Sequence, residues 1–206
     1  MAQFEKYWDK IADKYERRPV PDEEAYKLKL SETRQFLRPE MEVLEIGCGT
    51  GTTAINHAPY VHHITAIDIS GRMIEIAREK AKFQKIENIS FQVMAAESVA
   101  VSTKQFDVVM THSLLHLVQD RFDLIRSFHN LLKPGGYFVS STACLKGSTP
   151  FLRVVLPLGA SLGLLPKVYF LSPEQLLVEI KQGGFNVLKQ WQPKPDQALF
   201  IVAQRN

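Results

Sequence analysis

Cysteine is scarce in this sequence. Its 206 residues hold only Cys48 and Cys144, with no C-x-x-C pair and no Cys/His cluster. That excludes a disulfide framework and points away from structural zinc. Long apolar runs are missing too. No stretch reaches the ~20 consecutive apolar residues of a bilayer span. The opening Phe4, Glu5, Lys6, Asp9 and Lys10 lack the apolar core of a secretory signal, so a cytoplasmic protein is expected. Charge of one sign is not concentrated: the net charge is +3, and Lys and Arg are spread along the chain. Nucleic-acid binding therefore has no support. There is no internal repeat or low-complexity segment. What remains, 45% hydrophobic and 23% charged residues, is the composition of one globular domain with a sizeable core.

The most informative stretch is Val43-Leu44-Glu45-Ile46-Gly47-Cys48-Gly49-Thr50-Gly51. An apolar run suited to a buried strand meets three glycines at alternate positions, and a helix-compatible stretch follows from Thr52 to His57. Such glycines permit positive φ and let a ligand lie against bare main chain, facing the free amides of the next helix. A second apolar run, Ile64 to Ile67, ends in Asp68, 17 residues after Gly51. A carboxylate there offers two oxygens as hydrogen-bond acceptors at the end of a strand. Cys48 is most simply a small packing residue.

Along the chain, Phe4, Tyr7, Trp8, Ile11, Ala12 and Tyr15 make one apolar, aromatic helix face. Arg17 to Pro21 breaks it, and an amphipathic helix runs from Asp22 to Leu37. Ser70-Gly71 opens a helix to Ala81, Asn88 to Met94 reads as a strand, and Phe106 to Met110 as another, running into Thr111 to His116. A helix from Asp120 to Leu132 is stopped by Lys133-Pro134-Gly135-Gly136, before a strand from Tyr137 to Thr142. A capped helix from Ser172 to Lys181 precedes two closing strands, Phe185 to Gln190 and Ala198 to Ala203. His112 and His116 are four apart and share a face if this turn is helical, a spacing that also occurs in metal sites. No third ligand of matching pattern accompanies them, so no metal is expected.

The ordered set Glu45-x-Gly47-x-Gly49-x-Gly51, Asp68-Ile69-Ser70 with Met73-Ile74, Phe106-Asp107-Val108-Val109 with Leu114-Leu115-His116, and Leu132-Lys133-Pro134-Gly135-Gly136 resembles class I S-adenosylmethionine-dependent methyltransferases. The likeness is to the small-molecule type of ubiquinone and menaquinone biosynthesis, and it covers roughly residues 41–203. It implies an α/β, Rossmann-like seven-stranded sheet in the order 3-2-1-4-5-7-6, mostly parallel with the last strand antiparallel, and helices on both faces.

In this family the glycine loop passes the methionine part of the cofactor and the acid after the second strand holds the ribose. The leading helix closes over the cofactor, its aromatic face near the sulfonium. The resemblance thus assigns Tyr15, Glu45, Gly47, Cys48, Gly49, Gly51, Asp68, Ile69, Met73, Ala95, Ala96, Glu97 and Thr111 to cofactor contact. His112 and His116 are the candidate bases, needed only for a neutral hydroxyl or acidic carbon. One departure stands out: where the family carries an Asp for the adenine amino group, this chain has Ala95, leaving the Ala96 amide and Glu97.

The expected organisation is a single domain, 1–206, with a helical cap over 1–38, a cofactor core over 41–145, an apolar insert over 146–171 and closing elements over 172–206. Within the insert, Val154 to Pro166 carries no charge. It is too apolar for an ordinary loop, too short for a membrane span and broken by proline, which leaves extra core, a dimer contact, an interfacial segment or a lid. Insertions here commonly cover the acceptor in this family.

The expected function is transfer of the S-adenosylmethionine methyl to an O, N or C nucleophile of a small hydrophobic or amphiphilic acceptor, lipid- or quinone-like, leaving S-adenosylhomocysteine. The expected protein is a monomer or homodimer, with peripheral membrane contact allowed. The alternatives are a non-catalytic S-adenosylmethionine-binding protein and a nicotinamide oxidoreductase. The latter would want G-x-G-x-x-G, whose last glycine falls on Thr52 here.

Overall fold

The computed structural model describes residues 2–101, 104–147, 150–194 and 197–206. Seven strands form one sheet: β1 (Glu42–Ile46), β2 (His63–Asp68), β3 (Ile89–Val93), β4 (Phe106–His112), β5 (Leu132–Ala143), β6 (Phe185–Trp191) and β7 (Ala198–Arg205). Their order is β3-β2-β1-β4-β5-β7-β6. β7 runs antiparallel to both neighbours and the other pairs are parallel. This is the sheet the sequence predicts.

The central strands are covered on both sides, which is why they read as unbroken apolar runs. One face buries Val43, Ile64 and Val108 with Ile55 of α3 (Thr52–His57) and Ile74 and Ala77 of α4 (Gly71–Phe83). The other buries Leu44, Ile46 and Val109 with Phe128 of α5 (Arg121–Leu131) and Ile180 of α7 (Pro173–Gln182). The remaining helices are α1 (Ala2–Glu16), α2 (Glu23–Arg34) and α6 (Pro150–Ser161). From β1 the chain steps to β2 on one side, and β4 takes the other. The C-terminal ends of these three strands therefore open a crevice at a topological switch point.

Two local expectations change. Lys133 to Gly136 does not simply precede the fifth strand. The β4–β5 register jumps from Phe106–Leu132 to Val108–Tyr137, so these four residues loop out of a strand that begins at Leu132. Proline has no N–H for the ladder, Gly135 takes φ +76°, and a Cβ on Gly136 would lie 2.9 Å from the Asp107 carbonyl oxygen. The insert forms α6, whose outer side chains are bare to solvent: Phe151, Val154 and Leu158 are 70, 65 and 58% exposed. That outer face is not core, while Leu171 at the end of the insert is fully buried in it.

Candidate active site

β1 ends in a glycine loop with Gly47, Gly49 and Gly51 all at positive φ, between 53° and 75°. The Gly47 and Cys48 amides donate to the Ile67 carbonyl, at 2.8 and 3.0 Å, tying the loop to β2. Gly47 and Gly49 line a cleft of about 670 Å³ at the crevice. A Cβ on Gly49 would meet nothing nearer than Tyr15, 3.9 Å away. Gly51 does something else. A Cβ there would lie 2.8 Å from both Ala77 and Phe91, so it is the close packing of α3 on α4 and β3 that demands glycine. The Cys48 thiol is buried among the core residues, and burial raises its pKa well above the ordinary value.

Asp68 ends β2 with both carboxylate oxygens engaged, Oδ2 accepting from the Gly49 amide and Oδ1 from the Ser70 amide, each at 2.9 Å. Burial raises its pKa despite these bonds. Each oxygen keeps a lone pair for a ligand. Asp68, Ile69 and Met73 line the cleft together. Glu45 lies behind the loop, 1% exposed, its Oε2 without a hydrogen bond among the described residues. Burial, and secondly the charge of Asp68, push it up to about 8.

The opposite wall is α1, whose Phe4, Trp8 and Tyr15 face the cleft. Charge fastens it to the start of α4. Asp9 Oδ1 accepts from Ser70 Oγ at 2.6 Å and from the Arg72 amide at 3.1 Å. Asp13 takes the Arg72 guanidinium through both oxygens, at 2.7 and 3.2 Å, and Glu16 meets Lys80 at 2.9 Å. A carboxylate beside a helix N-terminus is favoured by the amides exposed there. Under these contacts Ala12 packs on Met73 and Ile76.

At the far end, His112 closes β4 and His116 sits in the 3₁₀ turn Leu115–Leu117. The two do not share a helix face: Ser113, at φ +56°, turns the chain between them and donates to the Ser141 carbonyl at 2.7 Å. Both still line the cleft. His112 Nε2 and His116 Nδ1 are buried without hydrogen-bond partners among the described residues. Burial pushes both imidazoles down to about 4, so they are neutral at pH 7. Among the described residues no group of three or more His, Cys, Asp or Glu is placed to hold a metal.

Of the other expected residues, Ala96 and Glu97 reach the cleft, with Met94 beside them, while Ala95 is not part of its lining. Thr111 is fully buried on the sheet face opposite His112, where strand alternation must put it. Leu114 of the expected motif and the stretch Pro166 to Tyr169 of the insert close the apolar end, while the sequence reading missed Val118 and Gln119. That stretch is pinned by the Tyr169 amide to the His116 carbonyl at 2.8 Å, and by the Tyr169 hydroxyl to Gln119 at 3.0 Å. Its only sequence signal was the apolar run itself.

These residues fit S-adenosylmethionine. Side-chain-free backbone admits the amino-acid part, and Asp68 has lone pairs free for a diol. The methyltransferase-domain family model matches residues 37–167. The uncharacterized methyltransferase YcgJ of Bacillus subtilis is 33% identical over 102 residues, 50% of this chain and 40% of that one. The ubiquinone biosynthesis O-methyltransferase of Coxiella burnetii is 28% identical over 151 residues, 71% of this chain and 64% of that one. Both matches span less than two thirds of the relative's length. A solved DhpI complex with S-adenosylhomocysteine superposes with TM-score 0.76 at 20% identity, over 100% of this chain and 96% of that one. The chain belongs to the methyltransferase-domain family, and its fold is the Rossmann-like fold of S-adenosylmethionine-dependent methyltransferases.

Proposed function

We propose that this protein transfers the methyl of S-adenosylmethionine to a hydroxyl on an apolar, quinone-like acceptor. The carrying observation is one cleft with two unlike ends: glycine backbone and carboxylates at one, and leucines, valine and two buried neutral imidazoles at the other. A Coxiella relative named for ubiquinone biosynthesis O-methylation supports a quinol-type hydroxyl. The cofactor supplies an activated methyl and its leaving group. Gly47, Gly49 and Asp68 hold it, with Tyr15, Ile69, Met73, Ala96 and Glu97 around it. The apolar wall orients the acceptor, and His112 or His116 accepts the hydroxyl proton on a ring nitrogen. An imidazole with pKa about 4 is a weak base in the free protein. Over the whole transfer, however, one positive charge leaves the cofactor as one forms on the ring, so the site moves a charge rather than creating one.

The test is transfer of labelled methyl to a long-tailed hydroxyquinol, compared with a short polar catechol and an alkylamine. The tailed quinol should be preferred. His112→Gln or His116→Gln should cost about 10²- to 10⁴-fold in kcat, the range of general-base catalysis, with cofactor affinity unchanged. Cofactor binding without transfer to any of the three would favour a binding protein.

A further inference from the structure

We propose that the outer face of α6 docks on the surface of an anionic lipid bilayer. Phe151, Val154 and Leu158 recur three and four residues apart, which places them on one helix stripe, and Leu162 continues the spacing past the helix end. These four are 70, 65, 58 and 64% exposed, and Leu164 beyond them is 66% exposed. A soluble surface scatters such side chains singly. Here five of the large exposed apolar residues fall within fourteen positions, a concentration that marks an interaction surface.

Charge decides the occupant. From Leu124 to Pro173 the chain has no Asp or Glu, and its formal charges are Arg126, Lys133, Lys146, Arg153 and Lys167, all positive. Arg153 is exposed on α6 itself, with Lys146 just before the helix and Lys167 just after it. Beside the helix, Lys146, Arg153 and Lys194 line a surface depression whose only acid among the described residues is Glu174. An apolar stripe framed by cations is the pattern of a helix lying in the headgroup plane. A second copy of the chain fits worse, because a two-fold contact sets each patch on its own image and would bring Arg153 and Lys167 against like charge. Crossing is excluded for α6, since 12 residues reach about 18 Å, well short of the ~30 Å hydrocarbon core.

The position of α6 gives this docking a use. Gly159 lets the chain fold back, its missing Cβ leaving room for Leu165, and the Leu164 and Leu165 amides both donate to the Gly159 carbonyl. The returning strand of chain is Pro166 to Tyr169, the apolar wall of the cleft. A bilayer under α6 thus lies next to the acceptor end, and a tailed acceptor could enter without crossing water.

The measurement is co-flotation of the whole chain with vesicles, phosphatidylcholine alone against phosphatidylcholine and phosphatidylglycerol in equal parts. Binding to the anionic vesicles is expected, falling with salt, and weak on the neutral ones. The double variant Val154→Asp and Leu158→Asp should lose binding at least tenfold. Lys146→Gln and Arg153→Gln should each weaken it by about fivefold. All of these side chains lie outside the glycine-loop end, so cofactor affinity should stay at the parent value, which separates this outcome from failure of the methyl-transfer reading. Absence of binding to anionic vesicles would overturn the proposal, as would binding that survives the double Asp variant. A concentration-dependent dimer that the double variant disperses, with no vesicle binding, would assign the face to a second copy instead.

Discussion

At one end of the cleft Asp68 has both carboxylate oxygens engaged by backbone amides, while at the other His112 and His116 each bury a ring nitrogen with no partner among the described residues. The glycine-loop end is finished by the protein itself, loop to β2, Asp68 to loop, Asp9 and Asp13 to α4, apart from the Glu45 carboxyl behind it. The histidine end is walled by leucines and valine, and its polar atoms have yet to find partners. A group left unsatisfied in a dry site costs free energy until a ligand supplies its hydrogen bond. The first end is preorganised for a ligand of fixed shape. The second gains most when its ligand arrives.

The largest effect expected is from Asp68→Ala, which strips the organised end of its centre. Cofactor affinity should fall by at least tenfold, and stability by about 1–3 kcal/mol because the Gly49 and Ser70 amides lose their acceptor. Titration calorimetry and urea unfolding measure the two; parental affinity would mean that Asp68 does not hold the ligand.

A pair of glycines sharpens the contrast between holding a ligand and holding the fold. Gly51→Ala combines φ +75° with contacts of 2.8 Å to Ala77 and Phe91, and should cost about 2–4 kcal/mol of stability. Gly49→Ala meets only Tyr15 at 3.9 Å, so it should cost the fold about 1 kcal/mol while cutting cofactor affinity more than Gly51→Ala does. Equal unfolding midpoints for the two variants would refute this division.

A further effect lies in pH. His57, His112 and His116 are held at about 3, 4 and 4, below the ~6.5 of an unfolded histidine. The stability that comes from neutral rings is therefore complete above pH ~6.5. It drains as pH falls through the folded values, by at most ~1.4 kcal/mol per pH unit for each ring. Glu45, raised to about 8, works the other way, its contribution being lost as pH climbs from ~4.5 toward 8. Urea midpoints across pH 4 to 8 should show both slopes, and His57→Leu should flatten the acid one.

The strands, the glycine loop and Asp68 were legible in the sequence, because buried parallel strands and alternating glycines leave patterns in consecutive residues, and the sheet order followed from the family resemblance. What stayed hidden depends on neighbours far along the chain. That Gly51 serves packing is visible only once Ala77 and Phe91 close on it. Thr111 and His112 are adjacent in sequence, yet the strand sends them to opposite faces. Spacing suggested one helix face for His112 and His116, but the turn at Ser113 supplies another geometry. Nothing in consecutive residues ties Asp9 and Asp13 to Ser70 and Arg72, 59 to 63 positions away.

The fastening of α1 has a consequence for how fast the site can exchange its contents. One wall of the cleft is held by ion pairs at the surface, with Asp13 and Arg72 57 and 38% exposed at their side chains, over a small apolar contact centred on Ala12. Pairs in that setting are weak and screened by salt, while the sheet behind the glycine loop is indifferent to it. Raising ionic strength is therefore expected to speed amide exchange along α1 and passage of ligand through the cleft, with exchange in the sheet unchanged.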